Sequence, residues 1–229
     1  MSKTTIDSST STAIAVLTPE QLAAEAQAMI NKAGSLAGDV IKVKNKKFIL
    51  PDGRESETFA AVIIDFINVN EFYEGRYDPK VIKPPVCAAK GTDPKNMVPF
   101  DESPEPQADT CNECPNNRFG SEGKGKACKN GMWLSVVPSD DLTADPLIVK
   151  LAPTATTPFR RYLTLLASTG RPHFSVVTNF ALDNSVDYAK IMCEAPVPLP
   201  MEDVSVVMGR RADAMKRLGQ VTNFTVNAG

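Results

Sequence analysis

The chain has 229 residues, a formal charge of −2 at neutral pH, 42% hydrophobic and 23% charged residues, which suits one sizeable core with at most a small appendage. No stretch reaches the roughly 18–20 apolar residues of a membrane span, and residues 1–10 lack the apolar centre of a signal peptide, so a reducing cytoplasm is expected. In that compartment five cysteines point to metal or free thiols rather than disulfides.

Residues 1–17 are rich in Ser and Thr and read as a disordered tail. Thr18-Pro19-Glu20-Gln21 then opens a helix, with Thr18 as cap, Pro19 in the first turn and Gln21 completing a capping box, and Gly34 is its stop. From Asp39 the apolar period changes to two: residues 40–50 read as one strand closed by the turn Pro51-Asp52-Gly53, and 59–67 as its long partner. After a cysteine-bearing excursion at 84–131, strands are expected at 132–137 and 146–151. A helix opened by Thr157-Pro158 and closed by Gly170 follows, then strands at 174–180 and 186–192 and a last helix from Glu202 to Leu218. The expected fold is mainly β with flanking helices, a Greek-key barrel of the OB type, with a mixed α+β sheet as the alternative. One domain would span 18–224, interrupted by the 84–131 insertion and ended by a tail at 225–229.

The excursion holds Cys87, Cys111, Cys114 and Cys128. A Cys-x2-Cys pair lets the chain turn back so that two thiolates reach one tetrahedral ion, and Cys87 and Cys128 would complete a four-sulfur set. So long a stretch rich in Pro and Gly is uncommon in a compact domain unless something pins it, and a metal would do so. Structural zinc is the first reading, an iron–sulfur cluster the main alternative, and free thiols the third. The nearby run from Gly120 to Ala127 falls short of a phosphate-binding loop, because Ala127 stands where a hydroxyl should hold magnesium and no strand feeds it.

Lys42, Lys44 and Lys46 alternate along the first expected strand, with Phe48 next on their face. Ammonium groups about 7 Å apart would follow a phosphate backbone, although a solvated outer face has the same pattern. Phe72, Tyr73, Arg76 and Tyr77 form an aromatic segment that could stack bases or fold back as a lid. Lys124 and Lys126 in the excursion, and Arg160 and Arg161 on the central helix, would widen a basic groove. Acids are segregated at Asp101, Glu102, Glu105 and Asp109.

Phe72-Tyr73, Tyr77-Asp78-Pro79, Pro84-Pro85-Val86-Cys87, Cys111-Asn112-Glu113-Cys114-Pro115-Asn116 and Gly123-Lys124-Gly125-Lys126-Ala127-Cys128-Lys129 resemble a group of phage-encoded single-stranded DNA-binding proteins of replication and recombination. The likeness covers about residues 66–137. It implies zinc on the four cysteines, single-stranded DNA in a basic-aromatic groove, replication or recombination proteins as partners, and the host cytoplasm as location. The C-terminus departs from that group, since 222–229 carries no acid. The alternative is a zinc-containing interaction or transcription-regulatory factor acting on a polymerase or host protein. An enzyme is not expected: His173 stands alone, Asp140 and Asp141 lack a partner, and a closed four-thiolate site leaves no position for an activated water.

Overall fold

The computed structural model describes residues 18, 40–75 and 83–220. The expected N-terminal tail, the helix after Thr18, Arg76, Tyr77 and the 225–229 tail lie outside these residues. Residues 40–75 and 83–220 belong to one compact unit that begins at Ala37.

The described strands are β1 (Val40–Lys44), β2 (Lys47–Ile49), β3 (Glu55–Ser56), β4 (Thr58–Phe72), β5 (Cys87–Gly91), β6 (Lys129–Pro138), β7 (Leu147–Leu151), β8 (Val176–Leu182) and β9 (Ile191–Pro198). The helices are α1 (Pro153–Ser168), α2 (Met201–Gly209) and α3 (Arg211–Gln220). The strands form one sheet in the order β3-β2-β1-β7-β6-β4-β8-β9, with β5 also on β4. It is mixed, since β1 and β7 are parallel while the other pairs are antiparallel. The sheet is strongly curled into a half-barrel.

β4 organises the sheet. β6 pairs with it from Ala61 to Glu71, while β8 takes the opposite edge at 58–62 and β5 takes that edge at 68–72. Its face toward α1 packs Ile63 with Leu134, Val149, Phe159, Leu166 and Phe180, and Phe66 meets Phe159 edge-on at 5.4 Å. The helix contributes Ala155, Phe159, Tyr162 and Leu166 at helical spacing, and the Tyr162 hydroxyl is 2.8 Å from Thr178 Oγ1. On the other face Val62 and Ile64 meet Val207 and Ala214 of α2 and α3, and Ile67, Val69 and Trp133 meet Leu218.

Several expected elements shift. The single strand at 40–50 is a hairpin, because Asn45 and Lys46 both take positive φ (51° and 58°), as a two-residue turn between right-twisted strands requires. β4 is not the partner of β1, which pairs with β2 and β7. The excursion at 84–131 is not all loop: β5 joins the sheet, and β6 starts at Lys129. α1 begins at Pro153, four residues before the expected Thr157-Pro158, and accommodates Pro158 inside it. Gly170 (φ 69°) does close it, with Gly170 and Arg171 N–H groups donating to the Ala167 and Leu166 carbonyls. The strand expected at 186–192 lies at 191–198, because the Asp183 N–H donates to the Lys190 carbonyl and an ion pair of 2.8 Å links their side chains across an irregular loop. Pro196 and Pro198 fit there because β9 is a sheet edge.

The last helix is two. Gly209 weakens it, and the adjacent arginines anchor in different places: Arg210 donates to the Leu142 and Ala144 carbonyls, Arg211 to Asp65 Oδ2 through Nε (3.0 Å) and Nη2 (2.8 Å). Asp65 is buried beside a bulge in β4. His173 Nε2 is 3.9 Å from its other oxygen, and the imidazole pKa is lowered chiefly by burial, against the Asp65 charge.

Arg211→Met leaves the Asp65 carboxylate buried without its main donor, and is expected to lower the unfolding free energy by about 1.5–3 kcal/mol. Urea denaturation measures this, and an unchanged midpoint would show that Asp65 does not hold α3.

Candidate functional site

The C-terminal end of β4 and its two neighbours bring the four cysteines together. Cys87 opens β5 directly opposite Phe72, and Cys128 immediately precedes β6, whose Lys129 pairs with Glu71. Cys87 and Cys128 therefore flank the end of β4 from either side. Cys111 and Cys114 come from the intervening loop, in the turn just before a 3-10 segment at Pro115–Asn117. All four are buried and line one cavity with Asn70, Phe72, Ala89, Gln107 and Asn117. Its free space of about 10 Å³ is roughly what one water-sized sphere fills.

Residues 92–128 are pinned by hydrogen bonds despite having little regular structure. The Phe100 and Glu105 N–H groups donate to the Ala88 and Val86 carbonyls, Cys111 N–H to Met97, and Cys128 N–H to Asn116. Asn116 Nδ2 donates to Gln107 Oε1 at 2.9 Å and Asn117 Nδ2 to the Cys111 carbonyl at 2.7 Å. Met97 is buried against Ala89 and Cys111. Gly91 leaves it room, since a Cβ there would lie 2.8 Å from Met97 Cγ.

The thiols feel burial and one another. Burial raises the Cys111 pKa, helped by Cys87 and Cys114 and opposed by a hydrogen bond from Asn70. Cys128 is pushed up to about 12, first by burial and then by the other three sulfurs, with Lys126 opposing. Cys193 is also pushed up to about 12 by burial, but packs against the α1 core. Although the four cysteines share a cavity, among the described residues no three His, Cys, Asp or Glu side chains are grouped so as to hold a metal ion.

The expected basic-aromatic groove is only partly assembled. Lys42 and Lys44 are exposed on one face of β1. Lys46 leaves that row: it sits in the hairpin turn, and its ammonium donates to the Asp183, Val186 and Tyr188 carbonyls. Phe48 is corrected outright, being 0% exposed and edge-on to Phe59 at 4.8 Å, so its ring is core and cannot stack on a base. The hairpin turn explains both changes. Phe72 lines the cysteine cavity and Tyr73 is half-buried, its phenol pKa raised by burial and then by Glu71. Arg76 and Tyr77 lie outside the described residues. Lys124 is exposed; Lys126 donates to Asn117 Oδ1 (3.1 Å) and Asn130 Oδ1 (2.8 Å). Arg160 and Arg161 are exposed on α1, off its buried stripe.

Two lysines escaped the sequence reading. The register sets Val40 beside Ile148, and strand alternation then puts Lys42 and Lys44 on the same face as Lys150 and Trp133. Lys90, paired with Val69, shares that face. The Lys90 and Lys150 ammonium groups lie 4.1 and 4.0 Å from the Trp133 ring centroid. Burial first, and Lys150 second, bring the Lys90 pKa down to about 7. Neither lysine belongs to a local charge run; only sheet register assembles them. Phe119, 82% exposed, was also missed.

Among the described residues no helix is long and apolar enough to cross a membrane. No protein-family model, curated protein or solved structure matches the chain.

Asn70 ties β4 to β6, its Oδ1 accepting from Asn130 Nδ2 at 2.6 Å, and it lines the cysteine cavity with Cys111. Asn70→Ala is expected to cost about 1 kcal/mol in urea denaturation; no loss would mean that this polar bridge does not stabilise the cavity.

Proposed function

We propose that the protein binds single-stranded DNA without catalysing a reaction. The observation that carries this reading is the exposed pair Lys42 and Lys44 of β1, on the sheet face that also carries Lys150; further along that face Trp133 is buried against Leu218 of α3, and the Lys90 ammonium donates to the Leu218 carbonyl at 2.8 Å. Lys42 and Lys44 are same-face neighbours about 7 Å apart, and Lys150 lies on the same face of the adjacent strand β7. A flexible phosphate backbone can follow such ammonium groups along the exposed end of the sheet. With an overall charge of −2, attraction has to come from this local concentration of cations. On this reading the half-barrel is an open variant of the OB type. The setting is phage DNA replication or recombination in the host cytoplasm, with proteins of those processes as partners.

Cys87, Cys111, Cys114 and Cys128 would hold one zinc ion. Four buried sulfurs on one small cavity, with no histidine among its walls, support that donor set. Side-chain rotation about χ1 is the movement that would bring them onto one centre. A four-thiolate zinc is closed, so it would supply folding energy and fix the loop against β4, not activate water. The second reading, an interaction factor for a polymerase or host protein, is supported by exposed Val197, Met201 and Met208 on β9 and α2.

Titration of labelled oligo(dT) and of duplex at two salt concentrations tests the main reading. Single strands are expected to bind more tightly than duplex, and replacing both Lys42 and Lys44 by Ala should weaken binding and reduce the salt slope by about 1.4, for two lost phosphate contacts. Tight binding to duplex alone, or a double variant with unchanged affinity and slope, would contradict it.

A further inference from the structure

We propose that Phe119, at the tip of the cysteine loop, is a base-stacking residue that captures an unpaired nucleobase apart from the basic sheet face; this rests on the single-stranded DNA reading above. Phe119 is 82% exposed, the highest value among the exposed large hydrophobic residues. Its loop is held in shape. Gly120 N–H donates to the Gly125 carbonyl at 2.8 Å and Gly125 N–H to Glu122 at 2.9 Å, while Gly120 (φ 90°) and Gly123 (φ 57°) supply conformations that side chains resist. Ser121 Oγ donates to the Arg118 carbonyl at 2.7 Å and accepts from Ala127 N–H at 2.9 Å. The ring is therefore presented on a fixed support, which lowers the ordering cost of binding.

The surroundings select the ligand. Lys126 Nζ lies 5.3 Å from the ring centroid and is fixed by Asn117 and Asn130. Arg118 and Lys124 are exposed, while the acid of this tip, Glu122, is paired with Lys129. A single aromatic face ringed by cations matches a base attached to phosphate. A protein contact would need a contiguous apolar centre, and residues 116–126 contain no other large apolar side chain.

The test uses the full chain with Phe119→Ala and Phe119→Trp, fluorescently labelled oligo(dT), and a thermal melt of each variant to confirm folding. Phe119→Ala is expected to bind roughly 5- to 150-fold more weakly with an unchanged salt slope, because stacking releases no counterions. In Phe119→Trp, which adds an exposed indole to buried Trp133, saturating oligo(dT) should quench the added fluorescence. If the wild type binds and Phe119→Ala binds equally well, with Phe119→Trp unquenched, the stacking role is wrong, the DNA-binding reading survives and the tip is left to a protein partner. If the wild type does not bind oligo(dT), both fall together.

Discussion

A strand of fifteen residues, β4, extends about 50 Å and must have both rows of backbone hydrogen-bonding groups satisfied along its buried length. β6 serves one edge almost throughout, but β8 and β5 divide the other and leave its middle uncovered. The bulge at Ile63 and Asp65 lies in that middle, and the His173 ring packs there against Phe66 at 5.2 Å, with Nε2 3.9 Å from Asp65. Asp65 then holds Arg211 and, through it, the start of α3. The break in strand pairing is thus also the place where the C-terminal helices attach.

The two ends of β4 have different chemistry. Its first half is apolar and packs on both faces, whereas the second carries buried Asn68 and Asn70. Asn68 Nδ2 donates to the Gly91 and Thr92 carbonyls, each at 3.1 Å, at the exit of β5. Asn70 accepts from Asn130 and lines the cysteine cavity. These amides let the sheet continue into a region whose other walls are loop and thiol. The cysteine cavity and the basic face around Trp133 occupy opposite faces of the same strands, so a change in the register of β4 on β6 would disturb both.

Sequence legibility followed the range of the signal. The cysteine set could be read from local spacing, and sheet pairing brings all four to one cavity. The apolar stripe of α1 and its Gly170 stop were equally local. The Asn45-Lys46 turn was hidden because residues 40–50 keep an alternating pattern through it, and only positive φ at a non-glycine pair divides them. That one turn carried Phe48 into the core and Lys46 onto the 183–188 loop. Lys90 and Lys150 were invisible for another reason: they are sixty residues apart, and register alone sets them on either side of Trp133. The split of the last helix depended on Asp65, which no periodicity links to Arg211.

The proposal that the cavity at the end of β4 holds one ion is tested most directly by native mass spectrometry of the full chain, with and without a strong chelator, beside a Cys111→Ser variant. One zinc ion per wild-type chain, removed by the chelator and missing from the variant, is the expected result. A wild-type mass that matches the bare polypeptide after purification with zinc present would contradict it.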